Sequence, residues 1–477
     1  MADDDAWTTS ANEAFVISLV APGLNGKESK FHPKFTYPIF GDDEEIFGYK
    51  DLKINLRYNA TDMRPHLDIK YKKKFDPVDD AEALDIKEVL SEYLPEVAFQ
   101  KAKDFETALA NTRDDWTPPG ELLTDFKTKV GHFEIWKGSL ADPAVKQLIK
   151  RIQILVPLFI EGGTAIDVDD TADRWTVFFL YQKKTSPTDP SKSVYVFAGY
   201  STVYRFFFLQ LPPSPPATPA ATEDDTSAAP LNEDFVLGSS SFDISTLPCR
   251  SRISQFLIIP PFQHLSLGSR LYHTIYQEYL SHPPTKEITV EDPNEAFDDM
   301  RDINDLRYLR TLPSFQALQI NTDAVIPKSG PVPNNIIDQT AAEEVRKAVK
   351  ITSRQFYRVL EMQLMSLLGE AVRPGIVLGE DEKGKKVGTA MERKEYGLWK
   401  LVLKKRLYVH NRDALGQLEL EERVEKLGEV VKGVEFDYAR LLVKVEDQEE
   451  RAAEEEDSGE SVGLARKRAK VEDAEED

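Results

Sequence analysis

The stretch FLIIPPFQHLSLGSRLY, residues 256–272, constrains the fold of this chain more than any other segment. An apolar run typical of a buried strand ends at Pro260 and Pro261, which have no backbone N–H and cannot donate to a sheet ladder. A polar segment with Gly268 follows, and then an amphipathic helical pattern begins. The sequence predicts a strand that separates from its neighbour and leaves a slot for an extended ligand. It also predicts a helix start whose free N–H groups suit a phosphate. An ordinary strand-to-helix connection is the alternative from these residues alone.

Composition limits the classes of protein to consider. The chain has 477 residues, 41% hydrophobic and 30% charged, which is enough apolar material for globular cores. Its formal net charge of −22 disfavours nucleic acid and membrane headgroups and favours cationic partners. A single cysteine, Cys249, excludes a disulfide within the chain and a cysteine-based zinc cluster, and the histidines have no ligand spacing. We therefore expect a soluble intracellular protein with no metal and no direct nucleic-acid or membrane binding.

The order of the local patterns divides the chain into four parts. Residues 1–130 combine alternating strands with two helical patterns, and residues 131–326 combine antiparallel strands with a strand–loop–helix–strand unit. A segment rich in Pro, Ala and Thr near 212–230 is predicted to be a disordered insertion. Residues 327–445 predict a helical domain, and 446–477 predict a disordered acidic tail. The fold class is α+β, with a β-rich N-terminal domain and a helical C-terminal domain.

Several motifs resemble those of one protein family. Gln263, Ser266 and Gly268 occupy the three defined positions of motif A of the GNAT acetyltransferases, Gln/Arg-x-x-Gly-x-Gly/Ala. Over residues 40–305 the chain is similar to the catalytic subunit of the type B histone acetyltransferases. The supporting stretches, in family order, are FGDDEEIFGYKDLKI, LFIEGGTAIDVDDTADRW, GYSTVYRFF, SQFLIIPPFQ and EITVEDPNEAFDDMRDIND. The resemblance implies that residues 131–326 form a GNAT-type mixed sheet flanked by helices, with acetyl-CoA as the co-substrate.

The sequence departs from the family pattern at Ser266, where the family usually has glycine. Serine adopts positive φ at a higher cost than glycine. Either the loop does not need positive φ at this position, or it holds the cofactor differently.

Acetyl transfer to a lysine requires a neutral amine. With a pKa of ~10.4, about one free lysine in 2,500 is neutral at pH 7, and a positioned carboxylate can accept the proton. The resemblance implies that Glu291 is the general base, with Asp292 close by and Glu161 as a second carboxylate facing the substrate. From the residues alone, acidic side chains beside Pro293 are as typical of turns and helix caps. Direct attack by the amine is expected, since no His–Asp arrangement accompanies Cys249.

The resemblance also implies which residues bind the two substrates. The pantetheine arm is expected to pair with the backbone of Phe256, Leu257 and Ile258. The pyrophosphate is expected at the N–H groups of Gln263, His264, Leu265, Ser266, Leu267, Gly268 and Ser269, and Asn294 is a further cofactor contact. The histone H4 tail is expected at Asp42, Asp43, Glu44, Trp175, Tyr204, Arg205 and Phe206.

Partners and location follow from the same resemblance. It implies a WD40 histone-chaperone subunit as partner, newly made histone H4 as substrate, a role in chromatin assembly, and both cytoplasm and nucleus as locations. The cluster ARKRAK, residues 465–470, is a weak signal for nuclear import. Two alternatives stay open from sequence: a catalytically silent acidic histone-binding chaperone, and an acetyltransferase for another amine.

Overall fold

The chain forms two units, of which the first, Met1–Asp292, is built around β-sheets and the second, Pro293–Asp477, is built from helices. The computed structural model describes residues 7–20, 28–78, 81–113, 115–186, 189–208, 246–327, 330–375 and 388–472, with side chains described as far as residue 450. The predicted insertion at 212–230 lies outside these ranges. Among the described helices, none is long and apolar enough to cross a membrane.

The N-terminal part of the first unit is β-rich, as predicted, and ends in two longer helices. Its elements are β1 (Thr8–Ser10), α1 (Ala11–Ala14), β2 (Phe15–Val20), β3 (Ser29–Phe31), α2 (Tyr37–Phe40), β4 (Glu45–Phe47), β5 (Tyr49–Lys50), β6 (Lys53–Asn59), β7 (Pro65–Lys70), β8 (Lys73–Lys74), α3 (Ile86–Ser91) and α4 (Ala102–Ala110). Four strands form a sheet in the order β3-β2-β6-β7, in which β2 and β6 are parallel. Ile54, Leu56 and Tyr58 alternate along β6 and are fully buried, so β6 packs its hydrophobic face into the core.

The larger sheet of the first unit carries the predicted strand–loop–helix–strand unit. The elements are β9 (Glu121–Thr128), β10 (Gly131–Ser139), α5 (Pro143–Ile152), α6 (Leu155–Phe159), β11 (Trp175–Thr185), β12 (Ser193–Phe207), β13 (Cys249–Ile258), α7 (Leu267–Ser281) and β14 (Thr285–Val290). The strand order is β14-β13-β12-β11-β10-β9, with β13 and β14 parallel and the other neighbours antiparallel. This is a GNAT-like mixed sheet with associated helices, and it confirms the expected fold class.

The predicted boundary at residue 130 does not separate two units, for two reasons. β9 pairs with β10, so residue 130 lies in the turn of a hairpin. The turn after β6 is also hydrogen-bonded to β12 of the larger sheet, because Thr61 Oγ1 donates to the Tyr195 carbonyl at 2.9 Å and Phe197 N donates to the Ala60 carbonyl at 2.8 Å.

The second unit consists of α8 (Glu295–Leu309), α9 (Pro313–Gln316), α10 (Gln339–Val349), α11 (Ser353–Ser366), α12 (Ala390–His410), α13 (Arg412–Leu415) and α14 (Leu420–Glu472). It begins at Pro293 rather than at the predicted residue 327, because α8 packs with α11 and α14. Asp299 on α8 accepts two hydrogen bonds from Arg440, at 2.5 and 2.8 Å.

The last helix also differs from the sequence prediction. It continues past residue 446, where a disordered tail was expected. Its turns there are paired within the same unit, since Glu446 lies 3.6 Å from Arg373 and Glu449 lies 3.0 Å from Arg310.

Candidate active site

The parallel strands β13 and β14 separate part-way along their length. Their register runs from Cys249 opposite Thr285 to Ile253 opposite Val290, and Glu291 N then donates to the Ile253 carbonyl at 2.8 Å. Beyond this point β14 has ended, whereas β13 continues to Ile258, where its ladder partner is Gly199 of β12. From Ser254 onward, β13 therefore has no neighbouring strand on the side away from β12 among the described residues, which is the arrangement that an extended ligand needs.

The fork opens for a different reason from the one inferred from sequence. Pro260 and Pro261 lie in a short 3₁₀ turn, Pro260–Phe262, at least seven residues beyond Ile253, the last residue of β13 that pairs with β14. The ladder ends instead because β14 stops at Val290 and turns at Asp292, where φ is +34°. Phe256, Leu257 and Ile258, the predicted pantetheine contacts, lie on the separated part of β13.

The loop from β13 to α7 uses left-handed backbone at two non-glycine residues. His264 has φ +60°, and Ser266, the N-cap of α7, has φ +58° and ψ +13°. The loop therefore does adopt positive φ at the position where the family usually has glycine. The first α7 hydrogen bond joins Arg270 N to the Ser266 carbonyl at 3.2 Å, which places the amides of Leu267, Gly268 and Ser269 in the first turn. First-turn amides of a helix suit an anion, and the expectation that Gln263 to Ser269 bind the pyrophosphate stays a prediction.

The loop is also tied back to the end of β13. Gln263 Nε2 donates to the Ile258 carbonyl at 2.7 Å. The predicted pyrophosphate residue Gln263 thus uses its side chain to hold the turn, and its backbone amide donates to the Pro260 carbonyl at 3.2 Å.

A cavity of about 380 Å³ lies where the fork opens. Four predicted site residues line it: Trp175, Tyr204, Phe206 and Glu291. The sheet register brings them together, because Trp175 is opposite Tyr204 and Tyr204 is opposite Arg252. The three aromatic rings form a continuous wall, with centroids 4.7 Å apart for Trp175–Tyr204 and 4.6 Å apart for Tyr204–Phe206.

Glu291 lies at the rim of this cavity, and both of its carboxylate oxygens have a partner. Ser254 Oγ donates to Oε2, and Arg252 Nη1 lies 3.5 Å from Oε1. The Glu291 side chain is 43% exposed, so it is accessible to an incoming group. Ser254 is the first residue of β13 beyond the fork and also lines the cavity, so the cavity meets the ligand edge at Ser254 and Glu291.

The loop between α6 and β11 also forms part of the cavity wall and contributes Asp167 and Asp170. The side chains of two glutamines form hydrogen bonds with the backbone of this loop. Gln153 exchanges two hydrogen bonds with the backbone of Ile166, at 3.1 and 3.2 Å, and Gln255 Nε2 donates to the Thr164 carbonyl at 2.8 Å. The wall is therefore ordered and acidic.

Sequence reasoning did not assign Arg252, Ser254, Asp167 or Asp170 to the site. Their signals were present: Arg250, Arg252 and Ser254 alternate with buried residues along β13, and IDVDDTAD is dense in aspartate. Neither pattern says which polar residues meet across the sheet.

Some predicted site residues do not line this cavity. Glu161 is exposed in the turn after α6, where the neighbouring Gly162 N donates to Tyr37 Oη at 3.3 Å, so this turn meets α2. Arg205 alternates with Tyr204 and Phe206 on β12 and donates to the Asp173 carbonyl at 2.7 Å, so it lies on the other face of the strand.

In the acidic turn before β4, some carboxylates are exposed and one accepts hydrogen bonds within the fold. Asp42 and Asp43 are exposed, as expected for residues that attract a basic tail. Glu44 instead accepts from Thr36 N at 2.6 Å, Tyr37 N at 3.1 Å and Asn12 Nδ2 at 2.6 Å. The hydrogen bond from Thr36 N is the main cause that lowers the Glu44 pKa. Glu44 therefore has a structural role, which the sequence did not predict.

The two remaining candidates flank the unit boundary. Asp292 is exposed at the end of the first unit, next to Glu291, and does not line the cavity. Asn294 belongs to the second unit, where its side chain caps α8 by accepting from Phe297 N at 2.9 Å.

Comparison with known proteins identifies relatives along the whole chain. The family model described as histone acetyl transferase HAT1 N-terminus matches residues 7–161, and the model described as fungal HAT1, C-terminal, matches residues 302–368. A histone acetyltransferase type B catalytic subunit from Neurospora crassa is 55% identical over 97% of this chain and 93% of its own. The proteins of the same name from Gibberella zeae and Candida albicans are 47% and 33% identical, over 99% and 95% of this chain and 100% and 94% of their own.

Among solved structures, an aminoglycoside acetyltransferase from an uncultured soil metagenomic sample matches 42% of this chain and 97% of its own. Its identity is 12% and its TM-score is 0.19, a similarity too low to support a conclusion.

Proposed function

Since this chain belongs to the family of histone acetyltransferase type B catalytic subunits, we propose that it acetylates lysines in the N-terminal tail of newly made histone H4 during chromatin assembly. One observation carries the proposal. Glu291 and Ser254 lie both at the opening of the β13–β14 fork and on the wall of an aromatic cavity. An acyl donor in the fork and a lysine in the cavity would therefore meet beside a carboxylate.

The acyl donor of an acetyltransferase of this family is acetyl-CoA, which supplies an acetyl group as a reactive thioester. The chain offers it the separated edge of β13, at Phe256, Leu257 and Ile258, as a partner for the amides of the pantetheine arm. The left-handed turn at Ser266 and the first-turn amides of α7 suit the pyrophosphate. Asn294 stays a further proposed contact.

Glu291 is the proposed general base. Making a lysine neutral at pH 7 costs ~4.6 kcal/mol, and a carboxylate that accepts the proton directly or through one water offsets much of that cost. Asp292, next to it, and Glu161 are the other proposed catalytic carboxylates, and their positions outside the cavity wall favour Glu291. Attack by the amine is direct, since the buried Cys249 lies at the paired end of β13, opposite Thr285.

The substrate proposal follows from charge and shape. A histone tail is basic, and Asp167 and Asp170 add two carboxylates to the wall of the aromatic cavity. The methylene stem of a lysine packs well against aromatic rings such as Trp175 and Tyr204. Exposed Asp42 and Asp43 are proposed to contact more distant parts of the tail.

Partner and location are proposed on the family resemblance. A WD40 histone-chaperone subunit would present the histone, and the enzyme would work in both cytoplasm and nucleus. Co-purification of the full chain with that subunit, and fractionation of cells that express it, test the two proposals separately.

The function is tested with acetyl-CoA and tail peptides of the four core histones. We expect the H4 tail to give the highest kcat/KM, and we expect acetyl-CoA to raise the melting temperature of the protein, because a ligand that binds only the folded state stabilises it. A silent histone chaperone would show neither effect. Preference for a different tail, or for a non-histone amine, would contradict the H4 assignment while leaving acetyl transfer intact.

A further inference from the structure

Two arginines on β13 make similar contacts, and only one of them contacts residues that line the cavity. The Arg252 guanidinium lies over the Phe206 ring at 4.4 Å and 3.5 Å from Glu291. The Arg250 guanidinium lies over the Phe208 ring at 5.7 Å and 2.7 Å from Glu287. Both partners of Arg252 line the cavity, whereas neither partner of Arg250 does.

The sheet holds Arg252 at this position. It is opposite Tyr204 on β12 and opposite Thr289 on β14, so it lies in the last rows before the fork opens. Its side chain is 32% exposed and extends between Phe206 and Glu291. Arg252 itself is not part of the cavity wall, so any effect on a substrate there passes through those two residues.

We propose that Arg252 is a positioning residue for Glu291 in the acetyl transfer. Its guanidinium contacts Oε1 at 3.5 Å while Ser254 donates to Oε2, so β13 engages both carboxylate oxygens. The stack on Phe206 links the same carboxylate to the aromatic wall along which the lysine would lie. This inference rests on the proposed function, since it assigns Glu291 the role of proton acceptor.

The charged residues around the cavity affect how a protonated lysine approaches Glu291. Arg252 places a cation beside Glu291 and Phe206, whereas Asp167 and Asp170 also line the cavity. A protonated lysine is repelled by the first and attracted by the second. The charges therefore favour approach of the lysine along the two aspartates.

The test compares Arg252→Met and Arg252→Lys with the parent enzyme, using acetyl-CoA and the H4 tail peptide. Met keeps the length of the stem and removes the charge, whereas Lys keeps the charge. We expect Arg252→Met to lower kcat about 10- to 100-fold, because small displacements of a reacting group have effects of this size, while KM for the peptide changes less than about threefold. Arg252→Lys should recover at least about a third of that loss on a logarithmic scale.

Arg250→Met is the matched control, since it removes the same type of contact two residues before Arg252 on β13, farther from the fork. Its kcat should stay within about twofold of the parent, and the melting temperatures of both Met variants should agree within about 4 °C, because exposed ion pairs contribute little stability. An equal loss of kcat in the two Met variants would overturn the proposal.

A double-mutant cycle distinguishes positioning from a general structural effect. In the Glu291→Gln background, Arg252→Met should lower kcat by less than about threefold, since Arg252 acts through Glu291. A full additional loss there, or no loss in the parent, would overturn the positioning role while leaving the proposed function standing. A Glu291→Gln enzyme with parental kcat would instead overturn the general-base role, and the positioning role with it.

Discussion

Gln255 connects the core of the sheet to the acidic wall of the cavity, and its replacement has effects that can be worked out from its contacts. Its side chain is 4% exposed, donates to the Thr164 carbonyl at 2.8 Å and accepts from Tyr200 Oη at 3.0 Å. In Gln255→Leu both bonds are lost. The Thr164 residue is exposed and its carbonyl can be hydrated, at a cost of about 0.5–1.5 kcal/mol, whereas the buried Tyr200 hydroxyl stays unpaired, at about 1–3 kcal/mol.

We therefore expect Gln255→Leu to lower the free energy of unfolding by about 1.5–4.5 kcal/mol, measured by urea denaturation. Adding Tyr200→Phe removes the unpaired hydroxyl and should restore about 1–2 kcal/mol of that loss. KM for the tail peptide should rise in both variants, since the wall at Thr164 loses its anchor. A loss below about 0.5 kcal/mol, or a double variant less stable than Gln255→Leu, would refute this account of the buried pair.

Three further predictions concern single positions in the first unit. Ser266→Gly should raise the free energy of unfolding by up to about 1 kcal/mol, because relief of left-handed backbone strain of about 1–2 kcal/mol exceeds the extra chain entropy of glycine. Ser266→Ala should not raise the free energy of unfolding, because alanine keeps the strain. Tyr181→Phe should leave the stability equal or higher by up to about 1 kcal/mol in thermal unfolding, since the buried Tyr181 hydroxyl has no hydrogen-bond partner among the described residues. The hydrogen bond from Thr36 N lowers the Glu44 pKa, so the stability that Glu44 contributes is present above its ordinary pKa of 4.5 and is lost as the pH falls through the lowered value. In Glu44→Gln, the stability measured between pH 7 and pH 3 should fall less steeply than in the parent.

The sequence predicted the individual strands and helices of the site better than the pairing between them. The apolar run of β13 and the amphipathic pattern of α7 are local signals, and both elements were predicted correctly. The opening of the fork was predicted for the wrong reason, because the pairing of β13 ends where β14 stops, and the length of β14 relative to its partner is a property of the sheet rather than of Pro260.

The residues that line the cavity could be predicted only from the family resemblance. Trp175, Tyr204 and Glu291 come from three distant segments, and only the register of β11, β12, β13 and β14 brings them to one cavity. Arg252 and Ser254 were missed, since their alternation identifies the exposed face of a strand without naming the carboxylate that they contact.

The predicted start of the second unit was wrong because the Pro- and Gly-rich linker and the start of the helical packing lie at different positions. The linker near residues 327–333 is rich in Pro and Gly, yet the second unit starts at Pro293. Ion pairs between Asp299 and Arg440, separated by 141 residues, place α8 with the helices, and no local pattern encodes such a pair.

The central claim is that Glu291, at the opening of the fork, takes the proton from the lysine that attacks the acetyl donor. Single-turnover acetylation of the H4 tail peptide by Glu291→Gln tests it most directly, with the acetyl-CoA dissociation constant measured beside it. We predict a rate lower by about 10²- to 10⁴-fold at an unchanged dissociation constant. A Glu291→Gln enzyme that acetylates the peptide at the parental rate would contradict the claim.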